Sequence, residues 1–142
     1  MNVAGILKDK GHDVVQIDAS ASLKHAAELL SRHRIGAVVI MKDDAVAGIL
    51  SERDIVTAVA AEGPAALEER VDTAMTSNVV TCTPEDSAEQ LMDVMTGRRF
   101  RHLPVVDNGR LAGIISIGDV VKHRFAEKEM ETEALRTYIA QG

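Results

Sequence analysis

The residues of this sequence best suited to chemistry are two serine–aspartate pairs with the same spacing. Ser51 and Asp54 follow a Gly-Ile-Leu run, and Ser116 and Asp119 follow a Gly-Ile-Ile run. Each pair stands where a strand-like apolar run gives way to a predicted helix. The first N–H groups of a helix lack backbone partners and the helix dipole favours anions there, so each pair predicts a phosphate site with the serine hydroxyl as a further donor. The aspartate can accept two hydrogen bonds from a vicinal diol such as that of a ribose.

The same pattern also predicts a capping box, in which serine and aspartate each satisfy a backbone amide and no ligand is involved. Capping alone is the more common explanation of a single Ser-x-x-Asp. Two copies in the same strand–helix context favour a binding role, and both explanations stay open at the level of the sequence.

A basic segment, Arg98–His102, precedes an apolar run that is predicted to be a buried strand. Its arginines suit phosphate oxygens because a guanidinium donates two parallel hydrogen bonds. The alternative is a solvated helix end whose cations complement the helix dipole. The corresponding segment of the first half, Arg32–Ala37, is basic at its start but small and neutral beside its strand. We therefore expect two sites of different chemistry.

The serine–aspartate pairs belong to a longer internal repeat. Residues 47–56 return 65 positions later as residues 112–121, and six of the ten positions are identical. The register holds without a gap from Val14/Val79 to Thr57/Lys122, which indicates one supersecondary unit present twice. A unit of this size cannot bury its apolar face alone. We expect the copies to pack against each other, with duplicated sites about a pseudo-twofold axis.

Each copy is predicted to be α/β, with the element order β-α-β-β-α. Val14–Ile17 and Val79–Cys82 are the first strands, and Asp18 and Thr83 are predicted helix N-caps, with Pro84 in the first helical position. Apolar residues at i, i+3, i+4 and i+7 then mark a helix, and an Asn-Gly turn marks a hairpin. The remaining predicted elements are helices over Leu23–Leu30 and Ala88–Met95, strands at Ala37–Met41, Val46–Leu50, Leu103–Val106 and Leu111–Ile115, and helices from near Ser51 and Ser116.

These elements divide the chain into four segments. We expect residues 1–61 to form repeat 1 with an N-terminal helical turn, residues 62–70 a linker, residues 71–124 repeat 2, and residues 125–142 a C-terminal helical tail. The tail continues a helix predicted from Asp119 to about Ala140. Its apolar positions are Phe125, Met130, Leu135, Tyr138 and Ile139.

Composition excludes several classes of protein. A net charge of −6 argues against binding nucleic acid or anionic membranes, which need a basic surface. No apolar run is long enough to span a bilayer, and the first residues lack a signal-peptide pattern. The single cysteine, Cys82, can form no internal disulfide. We therefore expect a cytoplasmic protein.

Catalytic and metal sites are not indicated. His25 and His33 lie eight residues apart on one predicted helix, too far for one metal, and no Cys-x-x-Cys or His-x-x-x-His spacing occurs. A serine hydrolase would need an elbow such as Gly-x-Ser-x-Gly, and Gly48-Ile-Leu-Ser51 has no glycine after the serine.

Together, the repeat period, the element order, the His-Leu-Pro-Val-Val-Asp strand and the doubled Gly-x-x-Ser-x-x-Asp motif resemble a tandem cystathionine-β-synthase (CBS) domain pair, the Bateman module. The resemblance covers roughly residues 3–122. It implies two CBS repeats packed as an intramolecular pseudo-dimer, here as a stand-alone module. Its two clefts would bind adenosine-containing ligands: AMP, ADP, ATP, NAD(H) or S-adenosylmethionine.

The resemblance also implies roles for individual residues. The aspartate of each motif would hold the ribose hydroxyls, the serine would meet phosphate, and backbone before the buried strand of the other copy would bracket the adenine. Gly118 stands where the first copy has Arg53, so we expect weaker phosphate binding at the second cleft. The first implied cleft combines Ser51, Arg53 and Asp54 with Ser77, Arg101 and His102, and the second combines Ser116 and Asp119 with Lys10, His12, Gly36, Ala37 and Val38.

The resemblance finally implies a regulatory module without catalysis of its own. Ligand would favour one arrangement of the repeats or protomers, and the signal would pass to an unknown protein effector or through the oligomer. We expect a homodimer, because a CBS pair typically presents a flat helical face to a second pair. One alternative is an interaction or scaffold protein with vestigial clefts. The other is an enzyme, which a turnover assay with ATP or NAD would distinguish.

Overall fold

The computed structural model of the chain describes residues 1–98 and 100–141. Arg99, part of the predicted basic segment, and Gly142, the last residue of the predicted tail, lie outside the described residues. The chain is α/β, and besides two short 3₁₀-helices, Pro64–Glu68 and Val71–Thr73, the described part has five α-helices and five strands. In order they are α1 (Val3–Lys10), β1 (Gln16–Asp18), α2 (Leu23–His33), β2 (Ala37–Lys42), β3 (Ala45–Ser51), α3 (Glu52–Glu62), α4 (Ala88–Arg98), β4 (His102–Asp107), β5 (Arg110–Ser116) and α5 (Ile117–Gln141).

The first copy has the predicted β-α-β-β-α order. β1 pairs with β2 in parallel and β2 pairs with β3 antiparallel, with Val39 opposite both Gln16 and Ile49. The hairpin turn between β2 and β3 places Asp43 at φ 51° and Asp44 at φ 61°. Left-handed backbone at both central turn residues matches the twist of the flanking strands, so the turn closes the hairpin tightly.

The second copy departs from the prediction at its first strand. The strand predicted at Val79–Cys82 is wrong, because only Cys82 bridges Val105. The Cys82 amide donates to the Pro104 carbonyl at 3.0 Å, and the Val106 amide donates to the Cys82 carbonyl at 2.8 Å. Extending this parallel ladder in either direction would need an N–H from Pro104 or Pro84, and proline has none.

The predicted N-caps Asp18 and Thr83 are also wrong. Asp18 instead accepts from the Ser20 amide at 2.9 Å, and the Thr83 amide donates to Asp86 at 2.9 Å, so both residues open turns. The true cap of α2 is Ser22, whose hydroxyl accepts from the His25 amide at 3.1 Å. α2 therefore begins at Leu23 and not directly after Asp18, and Pro84 lies in the turn before α4 and not in its first position.

The described chain divides into two units. Unit 1 comprises residues 1–12, 81–107 and 113–142, and unit 2 comprises residues 13–80 and 108–112. The core of unit 2 includes Ile17, Leu23, Leu30, Val38, Ile40, Leu50, Ile55 and Val71. The buried residues of unit 1 include Val3, Ile6, Leu7, Leu91, Met95, Leu103, Ile115 and Val120.

In the part of the chain that the structure describes, no helix is both long enough and apolar enough to cross a bilayer.

Candidate functional site

The first serine–aspartate pair forms a capping box at the start of α3. The Ser51 hydroxyl accepts from the Asp54 amide at 3.2 Å, and Asp54 Oδ2 accepts from the Ser51 amide at 2.8 Å and the Ser51 hydroxyl at 3.0 Å. Both side chains are half-buried. The capping interpretation of the motif is therefore confirmed in its geometry, yet it uses only one of the two carboxylate oxygens. Among the described residues, Asp54 Oδ1 has no hydrogen-bond partner.

The second pair repeats this geometry at the start of α5. The Ser116 hydroxyl accepts from the Asp119 amide at 3.1 Å, and Asp119 Oδ2 accepts from the Ser116 amide at 2.9 Å. Here too Oδ1 of the aspartate has no hydrogen-bond partner in the described part of the chain. Each helix start therefore combines a cap with a carboxylate oxygen that is free to accept another hydrogen bond.

The amide of the first helical residue is occupied in the same way in both copies. The Glu52 amide donates to the Gly36 carbonyl at 3.0 Å, and the Ile117 amide donates to the Arg101 carbonyl at 2.8 Å. Since the third amide bonds the serine, only the amides of Arg53 and Gly118 stay unpaired in the first turn, counting the described residues. At the first helix start the Ser51 hydroxyl already donates its proton to Asp54 Oδ2. Each helix start thus offers an anion one free amide rather than a full turn of donors.

A lysine distinguishes the second helix start. Lys10, at the end of α1, donates to Asp119 Oδ2 at 2.5 Å and to the Ile114 carbonyl at 2.8 Å. Burial alone would raise the pKa of Asp119, but the hydrogen bonds from Lys10 and Ser116 outweigh it and hold the pKa below its usual value. The aspartate is therefore ionised at neutral pH. The sequence analysis selected both residues, and the structure brings them together within unit 1.

Arg53 distinguishes the first helix start. It is exposed, and it forms no ion pair with any described residue, its neighbour Glu52 included. The position equivalent to Arg53 in α5 is Gly118, so the two helix starts differ by one free guanidinium. Lys10 at the second helix start is the other difference between them, and the existence of two chemically unequal binding sites stays a prediction.

The other predicted site residues lie at strand starts and loops of the two units. Gly36 is half-buried before β2, and Ala37 and Val38 are buried within β2. Ser77 is exposed near the end of the continuous segment 13–80 of unit 2. In unit 1, Arg101 and His12 are exposed and His102 is half-buried at the start of β4. Each implied cleft draws residues from both units, so its assembly stays a prediction.

The glycine of the Gly-x-x-Ser-x-x-Asp motif has a packing role that the sequence analysis missed. A Cβ on Gly48 would meet the side chain of Met75 and lie 2.8 Å from the Thr76 carbonyl oxygen. A Cβ on Gly113 would lie 2.6 Å from a methyl carbon of Leu7. Each strand is therefore approached closely at its glycine by a neighbouring segment of the same unit, by backbone at Gly48 and by a side chain at Gly113.

An open groove of about 550 Å³ lies between α2 and α3 in unit 2. It meets the predicted site residues at Gly36 only, and Ser51, Arg53 and Asp54 do not line it. Its lining is formed by Ala27, Leu30, Ser31, Arg34, Ile35, Gly36, Glu52, Ile55 and Val56.

The described residues show neither a metal-binding cluster nor an activated cysteine. No cluster of three or more His, Cys, Asp or Glu side chains is placed to hold a metal ion there. Cys82 is buried, and burial raises the pKa of its thiol to about 12, so the thiolate that would act as a nucleophile is scarce at neutral pH.

A comparison with protein families identifies the chain. The CBS domain model matches residues 7–61 and again residues 70–126, which together are most of the sequence. The chain belongs to the CBS-domain family. Among curated CBS relatives, the mitochondrial CBS domain-containing protein CBSX3 of Arabidopsis thaliana is 30% identical over 99% of this chain and 72% of its own length.

Solved structures of CBS proteins share this fold. The CBS-domain containing protein ATU1752 from Agrobacterium tumefaciens is 54% identical, with a TM-score of 0.84 over 87% of this chain and 99% of its own. The CBS domain pair of protein MJ0100, in complex with 5-methylthioadenosine and S-adenosyl-L-methionine, is 25% identical with a TM-score of 0.78 over 90% and 98%. Protein PAE2072 from Pyrobaculum aerophilum, complexed with AMP, is 26% identical with a TM-score of 0.75 over 84% and 89%.

Proposed function

We propose that this protein binds adenine nucleotides as a regulatory CBS pair, with AMP, ADP, ATP or NAD(H) as its ligand. The observation that carries the proposal is the pair of matching helix starts, each with an aspartate oxygen, an amide and a serine hydroxyl within the first turn. The adenosine-containing ligands of MJ0100 and PAE2072 support the ligand class.

The chemistry of the two helix starts suits a ribose and a phosphate. Oδ1 of Asp54 or Asp119 would accept hydrogen bonds from the ribose hydroxyls, while Oδ2 keeps its capping role. The free amide of Arg53 or Gly118 would donate to a phosphate oxygen, and the adjacent serine hydroxyl would join it by turning its proton away from the aspartate. The Arg53 guanidinium would add a charge-assisted donor at the first site, so we assign the more highly phosphorylated or extended ligand to that site.

The remaining predicted residues would complete two clefts. At the first, Ser77, Arg101 and His102 would face Ser51 and Asp54. The second would use Lys10 and His12 as cations and the backbone of Gly36, Ala37 and Val38 against the adenine. Both clefts would arise from pairing of repeat 1 (1–61) with repeat 2 (71–124) about a pseudo-twofold axis.

The proposed output is a shift in populations, without catalysis. A ligand that binds one arrangement of repeats or protomers more tightly moves the equilibrium by its difference in affinity, and a protein effector or the oligomer responds to the change.

We propose a homodimer that uses the α2–α3 face, where Val56 is 66% exposed beside the groove. We propose a cytoplasmic location, since the one cysteine is a free thiol, although the Arabidopsis relative is mitochondrial by name. Nucleic acid and membrane are not proposed as partners.

Thermal denaturation with and without nucleotides tests the proposal. AMP, ADP or NAD(H) should raise the melting temperature, and GMP should raise it much less. An unpaired polar group of the wrong base would cost about 1–3 kcal/mol when buried, or roughly tenfold or more in affinity. The Asp54→Asn/Asp119→Asn double variant is the control. AMP should no longer raise its melting temperature, and calorimetric titration should show that it binds AMP more weakly than the wild type does.

Three outcomes would count against this proposal. Equal stabilisation by GMP and AMP would refute the base specificity. No stabilisation by any adenosine compound would favour the scaffold alternative, in which the helix starts are caps only. Turnover of ATP or NAD in the same samples would favour an enzyme.

A further inference from the structure

Helix α5 extends beyond the body of unit 1 with an uncovered apolar seam. Val120 and His123 are buried near its start, where α5 contacts α1 and α4. From Lys128 to Gln141, every residue is exposed. A lone helix of this length gains little stability from its own hydrogen bonds, so the exposed half of α5 lacks the packing that usually keeps a helix formed.

The exposed side chains of α5 follow a heptad pattern. Val121, Phe125, Leu135 and Ile139 are 50–68% exposed. Together with Lys128 and Thr132 they recur at alternating spacings of four and three residues, the spacing of the a and d positions of a coiled coil. At 100° per residue this seam lies roughly a third of a turn away from the face that packs on unit 1. The seam is therefore free along about 27 Å of helix.

The flanking charges specify how a second copy would pair. In this register Arg124 and Glu131 occupy g positions, and Glu129 and Arg136 occupy e positions. A parallel, in-register pair brings each g residue beside the e residue five positions later on the other helix. Both resulting contacts, Arg124 with Glu129 and Glu131 with Arg136, join opposite charges. An antiparallel pair with Phe125 facing Leu135 would set Glu129 and Glu131 beside their own counterparts.

We propose that α5 pairs with α5 of a second copy of this chain as a parallel, in-register two-stranded coiled coil. Charge complementarity along the seam commits the face to a second copy rather than to another partner. Lys128 and Thr132 make the central layers polar, which lowers stability while favouring one register. Arg124 also lies 3.6 Å from Glu127 on its own helix, so the intermolecular contact has to compete with a weak local one. The inference adds a surface and an orientation to the proposed homodimer, and it does not depend on nucleotide binding.

Matched surface substitutions test the seam. Leu135 and Met130 are 61% and 70% exposed, but Met130 lies on the opposite side of the helix. In sedimentation experiments, Leu135→Lys should weaken dimerisation at least tenfold, Met130→Lys should leave it unchanged, and Lys128→Leu should strengthen it. A wild type that is monomeric at tens of micromolar would overturn the proposal. So would a Leu135→Lys variant that dimerises like the wild type, and that result would leave dimerisation through α2 and α3, and nucleotide binding, untouched.

Cysteine cross-linking tests the orientation. The native cysteine is buried and its thiol pKa is raised to about 12, so introduced cysteines dominate disulfide formation. Leu135→Cys should cross-link with itself under mild oxidation, and Glu133→Cys, on the outer face, should not. Cross-links between Phe125→Cys and Leu135→Cys in a mixed sample, without Leu135 self-links, would show an antiparallel pair and refute the register. Arg136→Glu should weaken the dimer and Glu131→Arg should restore it in the double variant.

Discussion

Replacing Asp54 and Asp119 by alanine separates their two roles, since one carboxylate oxygen caps a helix and the other is proposed to bind ribose. Loss of a cap costs about 1 kcal/mol. For a chain of this size that lowers the melting temperature by roughly 3 °C. Asp119→Ala also removes the ion pair with Lys10, which is partly exposed and worth about 0.2–1 kcal/mol. We therefore expect apo melting points about 3 °C lower for Asp54→Ala and roughly 3–6 °C lower for Asp119→Ala.

The same substitutions should weaken AMP binding by a larger factor. Each aspartate would lose a pair of hydrogen bonds to the ribose, and a hydrogen bond to a charged group contributes about 1.5–3 kcal/mol. Even one such bond corresponds to a loss of about tenfold or more at the affected site. Calorimetric titration measures this loss, and differential scanning fluorimetry without ligand measures the capping loss.

Asp86→Ala is the matched control for the aspartate variants. Asp86 accepts a hydrogen bond from the Thr83 amide at 2.9 Å, the same three-residue spacing as in the two motifs, but outside the proposed sites. It should lower the melting point modestly and leave AMP affinity unchanged. If Asp54→Ala and Asp119→Ala behave like Asp86→Ala, melting earlier while binding AMP normally, the two carboxylates are caps only and the assignment of the ribose is wrong.

Two further pairs of substitutions follow from the structure. Arg53→Ala should weaken binding of ADP, ATP or NAD(H) more than binding of AMP, because the unpaired Arg53 guanidinium is the cation that distinguishes the first helix start. Gly118→Arg should strengthen phosphate binding at the second helix start. Equal losses of AMP and ADP affinity in titrations of Arg53→Ala would show that Arg53 does not contact the phosphate chain. Gly48→Ala should destabilise the fold by about 1–3 kcal/mol, because the added carbon meets the fixed Thr76 carbonyl. In Gly113→Ala the added carbon meets a Leu side chain, so the loss of unfolding free energy should be smaller. Denaturant unfolding measures both losses, and the reverse order would contradict this reasoning.

Much of the local structure was predictable from the sequence alone. The apolar stripes of α2 and α4 and the Asn108-Gly109 hairpin depend on neighbouring residues, and the structure confirms them. It also confirms the 65-residue repeat, except at the first strand of the second copy. The serine–aspartate motifs also act locally, since each bonds within four residues of chain. What could not be read locally was whether the caps serve a ligand as well, because one spacing satisfies both roles.

The tertiary structure decided the features that depend on distant partners. Asp18 and Ser22 are both suitable caps for α2, and the choice of Ser22 accompanies a hydrogen bond from the Leu23 amide to the Glu69 carbonyl at 2.8 Å, far along the chain. The Ala88 amide of α4 is likewise satisfied by the Met1 carbonyl at 3.1 Å. Lys10 and Asp119 are separated by 109 residues, so no periodicity could pair them. Sequence patterns specify how a segment bonds to itself, whereas these partners are selected only when burial brings remote donors and acceptors together and each must be satisfied.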